Sequence, residues 1–139
     1  MLMNKLLLDT NILVYSIDED SKYFEESQNI LRNRSYDLYT TSKNVSEFLV
    51  VVTKFPQKSI SAKGALEILR DFTGFITIIY PTPSSNILFQ EMIEKYQPTG
   101  LKIHDYEIAS ISLNHQINRI ATFNKKDFQE IEELELYPN

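Results

Sequence analysis

Short apolar runs recur along the chain, separated by longer segments whose apolar residues return at three- and four-residue intervals. Lys5 to Asp9, closed by Thr10 and Asn11, predicts a buried strand. Leu38 to Thr41 predicts a second, from its β-favouring residues. Phe75 to Tyr80, bounded by Gly74 and Pro81, is the clearest strand pattern, and Arg119 to Phe123 gives a fourth. Leu134 to Tyr137 alternates and stops at Pro138, which suits an edge strand. Helical spacing predicts helices over 22–34, 43–54, 61–73, 84–97 and 105–115, with Gly74 expected to cap the third. Phe55-Pro56 and Gln97-Pro98-Thr99-Gly100 punctuate the helix pairs. Strands alternating with helices imply parallel pairing through right-handed crossovers, and hence an α/β fold in three layers, helices above and below a sheet.

Composition narrows this reading. The chain has 139 residues, which favours one domain over 1–139, and 42% hydrophobic residues supply enough apolar material for a core. No apolar run approaches the ~18 residues of a membrane span. The segment Met1-Leu2-Met3-Asn4-Lys5 leads into only a short apolar stretch with no small-residue cleavage site, so no signal peptide is expected. Cysteine is absent, which excludes disulfides and thiolate metal sites and agrees with a cytoplasmic location. The two histidines, His104 and His115, are too few for a histidine-based zinc site, and the three glycines form no phosphate-binding loop.

The net charge of −5 would at first argue against a nucleic-acid partner. Its distribution weakens that objection. Residues 18–26 hold five acids against one lysine, and residues 127–135 hold five acids and no base, so the remainder of the chain is net positive.

Four acids lie beside apolar segments: Asp9, Glu47, Asp105 and Asp127. A strand that ends on a carboxylate delivers it to the sheet edge where open α/β folds bind ligands. Each acid also has a plain structural explanation. Asp9 could cap a short helix beginning near Asn11. Glu47 could close a capping box with Asn44, although Ser42 is an equally good cap. Asp105 could cap the helix Tyr106–His115, a position that also lowers the cost of a negative charge. Asp127, with Asn124, could belong to a surface loop flanked by Lys125 and Lys126. Together on one rim, the four would form a cage for a divalent cation. Hard carboxylate oxygens suit Mg²⁺ or Mn²⁺, ions that acidify water for attack on a phosphodiester. Clustered carboxylates also repel, so at least one should have a raised pKa.

Taken in order, the motifs resemble those of PIN-domain ribonucleases, and most nearly VapC-type toxins of toxin–antitoxin pairs. They are Asp9-Thr10-Asn11 after the first strand, Glu47 within Ser42 to Phe48, Asp105 opening Asp-Tyr-Glu-Ile-Ala-Ser, and Thr122-x-Asn124-x-x-Asp127-Phe128. The resemblance implies a five-stranded parallel sheet in the order 3-2-1-4-5, dependence on Mg²⁺ or Mn²⁺, and single-stranded or structured RNA as substrate. A VapB-type antitoxin and a homodimer are the partners it implies, with no membrane. Carried over by position, Asp9 and Asp105 are the main metal ligands and Glu47 binds directly or through water. Asn124 stands where many relatives carry Asp, so Asp127 must compensate or the fourth ligand is neutral. Thr10, Asn11, Thr122 and Asn124 are supporting residues. The alternative that Asn124 keeps open is a catalytically weak PIN-like module that binds RNA or protein. A haloacid-dehalogenase-like phosphatase is disfavoured, because it needs a second Asp two positions after the first, where this chain has Asn11.

Overall fold

The computed structural model describes residues 4–138; the first three residues of the segment read for an export signal, and Asn139, lie outside them. Five strands form one parallel sheet: β1 (Asn4–Leu8), β2 (Tyr36–Thr41), β3 (Ile76–Ile79), β4 (Arg119–Ala121) and β5 (Glu135–Tyr137). Their order is β3-β2-β1-β4-β5, as the resemblance implies. From β1 the chain steps outward to β2 and β3, then returns to pair β4 on the other side of β1. The crevice at the carboxyl ends of β1 and β4 is therefore the topological switch point, where ligands bind in open α/β sheets.

Alternation along the strands sets the layers. Successive side chains of a strand point to opposite faces. Leu6 and Leu8 enter one core with Leu38, Ile76 and Ala121, beneath the helices α1 (Thr10–Tyr15), α2 (Phe24–Arg32), α3 (Ser42–Val52) and α4 (Ala62–Phe72). Leu7 enters the other with Ile79 and Ile120, against α5 (Pro83–Tyr96) and α6 (Lys102–Asn114). Leu6, Leu7 and Leu8 are all fully buried, as expected of a central parallel strand covered on both faces. Among the described residues, no helix is long and apolar enough to cross a membrane.

One local expectation holds and two need correction. The short helix expected near Asn11 with Asp9 as its cap is present as α1, starting at Thr10 and burying Ile12, Leu13 and Val14. Helix α6 starts at Lys102, so Asp105 lies in its first turn and is not its cap, while the cap residue Leu101 gives no side-chain hydrogen bond. Gly74 follows the end of α4, but the cap is Thr73 in right-handed conformation, and Gly74 is not among the residues with positive φ.

Candidate metal centre

Helix α1 begins immediately after β1, and Asp9 is the joint between them. Its backbone N–H still belongs to the sheet, donating to the Ala121 carbonyl at 2.9 Å. Its Oδ1 accepts from the Thr10 N–H at 2.9 Å, so the carboxylate caps α1 as well as facing the crevice. The side chain is only 8% exposed. A buried carboxylate is costly unless donors surround it, and here they do. Thr122 Oγ1 donates to Oδ2 at 2.8 Å and Asn11 Nδ2 approaches it at 3.4 Å, while Asn44 Nδ2 donates to Oδ1 at 3.2 Å. Thr122 comes from the end of β4, across the switch point. Asn11 ties the same corner together, with Nδ2 donating to Thr122 Oγ1 at 3.2 Å and Oδ1 accepting from the Phe123 N–H at 3.3 Å.

Asn44 is the residue that sequence reasoning missed. It is fully buried and closes the capping box of α3 with Thr41, not with Glu47. Thr41 Oγ1 donates to Asn44 Oδ1 at 2.7 Å, which fixes the amide so that its NH₂ faces Asp9 Oδ1 and Thr10 Oγ1, the latter at 3.0 Å. The signal was present in the sequence: Thr41 closes β2 and Asn44 follows three positions later. Placing the cap one turn further along obscured it. Glu47 is thereby released from any capping duty and stands exposed on α3, one residue before the buried Phe48.

Asp9, Glu47, Asp105 and Asp127 open onto one cleft of about 390 Å³, together with Thr10, Asn11 and Asn124. Asp127 sits at the end of a 3-10 turn, Lys125–Asp127, where Asn124 Nδ2 donates to its Oδ2 at 2.6 Å. The neutral Asn124 and the charged Asp127 therefore share this corner, the amide orienting the carboxylate. A larger cleft, about 920 Å³, lies at the amino ends of β2 and β3, beside Phe72 and Phe75. Its lining brings no comparable set of acids together, so chemistry rather than size identifies the site.

The acids affect one another's charge. Burial raises the Asp9 carboxyl from 3.8 to about 6, against the pull of Thr122 and the Thr10 N–H, and Glu47 and Asp127 add to the rise. Burial again, then Asp127, Asp9 and Glu47, push Asp105 up to about 7, with Lys102 opposing. This negative charge is short of compensation, and a cation would supply it. Among the described residues, however, no three Asp, Glu or His side chains are gathered closely enough to ligate an ion directly. The donor set therefore fits a hard ion that keeps much of its water and takes one or two carboxylates, which is the habit of Mg²⁺. Tyr106, next to Asp105, is buried in the core at 1% exposure and presents no ring face to the cleft.

Comparison with known proteins agrees with the fold. The family model for the PIN domain matches residues 6–134. Among solved structures, VapBC2 from Rickettsia felis bound to a DNA fragment from their promoter matches with a TM-score of 0.69 at 23% identity, covering 95% of this chain and 96% of that one. VapBC-1 from nontypeable Haemophilus influenzae gives 0.68 at 21%, covering 95% and 96%. VapC20 of Mycobacterium tuberculosis, a sarcin-ricin loop cleaving toxin, gives 0.72 at 8%, covering 91% and 95%. Among curated proteins none matches significantly.

Two outcomes are expected. Because Asp9 and Asp105 hold protons more tightly folded than unfolded, the metal-free protein loses stability as pH rises from about 4 to 7, with Asp9 alone contributing about 3 kcal/mol. Melting temperatures in EDTA should fall across that window, less steeply in Asp9→Asn, and Mn²⁺ should raise melting more at pH 7.5 than at pH 5. A metal-free curve as steep in Asp9→Asn as in wild type would contradict this. The second concerns Asn44→Ala, which strands the Thr41 N–H and removes a donor from Asp9. Chemical denaturation should show a loss of about 2–4 kcal/mol, and carboxyl NMR should place the Asp9 midpoint above its wild-type position. An unmoved midpoint would show that Asn44 does not act on Asp9.

Proposed function

The chain belongs to the PIN-domain family, and from that premise we propose that it is a divalent-metal-dependent endoribonuclease, the toxin of a VapBC-type pair. One observation carries the reading: four acids from four separate elements open onto a single cleft at the switch point, two of them held above the ordinary carboxylate range. The matched sarcin-ricin loop cleaving toxin from M. tuberculosis supports RNA as the substrate. The matched complexes support a VapB-type antitoxin as partner. A homodimer is the assembly proposed by the same resemblance.

In this reading Asp9 and Asp105 hold Mg²⁺ or Mn²⁺, and Glu47 and Asp127 complete the set directly or through water. When bound, such an ion lowers the pKa of water and stabilises charge developing on a phosphodiester. The chain's own residues supply the rest. Thr122, Asn11, Asn44 and the Thr10 N–H fix the Asp9 carboxylate against rotation, so that it is oriented before substrate arrives. Asn124 does the same for Asp127. Glu47 is the exposed member of the set, its carboxylate open to the solvent side of the cleft. No histidine, serine or cysteine nucleophile is required.

Purified protein should cleave single-stranded RNA in Mg²⁺ or Mn²⁺ and stop in EDTA. Asp9→Asn and Asp105→Asn should each lower the cleavage rate by at least about a hundredfold, with far-UV circular dichroism unchanged. Full activity in both variants would overturn the metal-centre assignment. RNA binding by wild type without any cleavage would favour the binding module instead.

A further inference from the structure

Glu47, Asp105 and Asp127 form a wall shared by two clefts. On one side is the cleft described above, whose far wall is made of Tyr15, Tyr23 and Phe123, with Tyr23 and Phe123 stacked at 4.4 Å between ring centroids. On the other side lies a cleft of about 720 Å³, which keeps those three acids and adds Lys43, Lys102, Lys126 and His104. The lysines come from three different elements: α3, α6 and the turn after β4. Two are steadied from behind by acids that do not line the cleft. Lys43 Nζ lies 3.0 Å from Glu107, and Lys102 Nζ lies 3.7 Å from Glu130. Lys126 makes no ion pair among the described residues.

The electrostatics give this arrangement a use. A cluster of carboxylates on a chain of net charge −5 repels a polyanion, so a nucleic-acid strand can settle on it only where cations line the approach. A lone surface lysine is ordinarily just solvated. Three converging on a concave surface that borders the acids form a path for phosphates. The wall opposite is aromatic, the kind of surface on which unpaired bases stack, with Tyr23 already stacked on Phe123 and Lys22 over the Tyr23 ring at 5.0 Å.

We propose that the Lys43–Lys102–Lys126 cleft is a backbone subsite that holds the phosphates flanking the scissile bond of a single-stranded RNA. The proposal rests on the nuclease reading for the identity of the strand. It adds the side from which the strand enters, with phosphates over the lysines and bases toward Tyr15, Tyr23 and Phe123. Lysine is a point-charge donor without a fixed fork, so this subsite reads backbone and not sequence.

The test is fluorescence anisotropy in Mg²⁺ with a labelled single-stranded RNA oligonucleotide carrying phosphorothioate linkages to slow cleavage. Wild type is compared with the double variant Lys102→Ala/Lys126→Ala and with Lys63→Ala, a control that removes one lysine charge from α4, away from both clefts. The double variant should bind roughly tenfold more weakly at low salt, and its log–log salt slope should be shallower by about 1.4, about 0.7 for each phosphate that is no longer neutralised. Lys63→Ala should match wild type in both respects, and Mn²⁺ should still raise the melting temperature of the double variant. Wild-type affinity and slope in the double variant would overturn the subsite. Equal weakening in Lys63→Ala would reduce it to diffuse attraction, and equal competition by duplex RNA would overturn the single-strand geometry. The two levels separate cleanly. Lysine-dependent binding without cleavage leaves the subsite and removes the nuclease, whereas cleavage with lysine-independent binding does the reverse.

Discussion

A carboxylate kept nearly out of water at the end of the central strand is the constraint around which this molecule is arranged. Asp9 is charged only at a cost, and the cost is met by donors drawn from distant parts of the chain: Thr10 and Asn11 beside it, Asn44 from α3 and Thr122 from β4. Each donor presupposes the topology. Asn44 reaches Asp9 because β2 lies alongside β1, and Thr122 reaches it because the chain returns to the other side of β1 after its second crossover. The polar network at the switch point is thus a readout of the strand order, and the strand order positions the site.

Packing carries the remaining acids to the same place by simpler means. Phe48, buried in the core on one face, holds α3 so that its neighbour Glu47 reaches the cleft rim. Tyr106 does the same for Asp105 on the other face. Phe128, fully buried, anchors the turn that presents Asp127. In three cases an acid adjoins a fully buried or nearly buried ring, and the hydrophobic core fixes what the polar side chain faces. The resulting repulsion among the acids is only partly compensated within the chain, by Lys102 near Asp105, and the remaining imbalance is what makes the cleft receptive to a cation.

Much of this was legible in the residues alone. The strands were visible as short apolar runs because a parallel sheet covered on both faces favours apolar side chains where its central strands are buried, as at Leu6, Leu7 and Leu8. The acid set was visible because each member lies next to such a run or opens the segment that follows. What the sequence hid were matters of one turn of helix. The box between Thr41 and Asn44 competes with an equally acceptable box between Asn44 and Glu47, and only the packing of α3 decides between them. The start of α6 at Lys102 was invisible because Leu101 is no capping residue and supplies no side-chain bond. The six-residue α1, too brief for a periodic signal, was legible only through Asp9 as its cap. None of these shifts moved an acid from the rim, because the buried rings Phe48 and Tyr106 seat the helices that carry Glu47 and Asp105 whichever residue begins them.

The most direct examination of the account is to locate the ion itself. A crystal of the protein soaked in Mn²⁺ should show an anomalous difference peak within coordinating distance of the Asp9 and Asp105 carboxylates, with Glu47 or Asp127 reaching it directly or through ordered water. A crystal with Mn²⁺ elsewhere, or with that cleft empty at saturating Mn²⁺ above pH 7, would contradict the account at its centre.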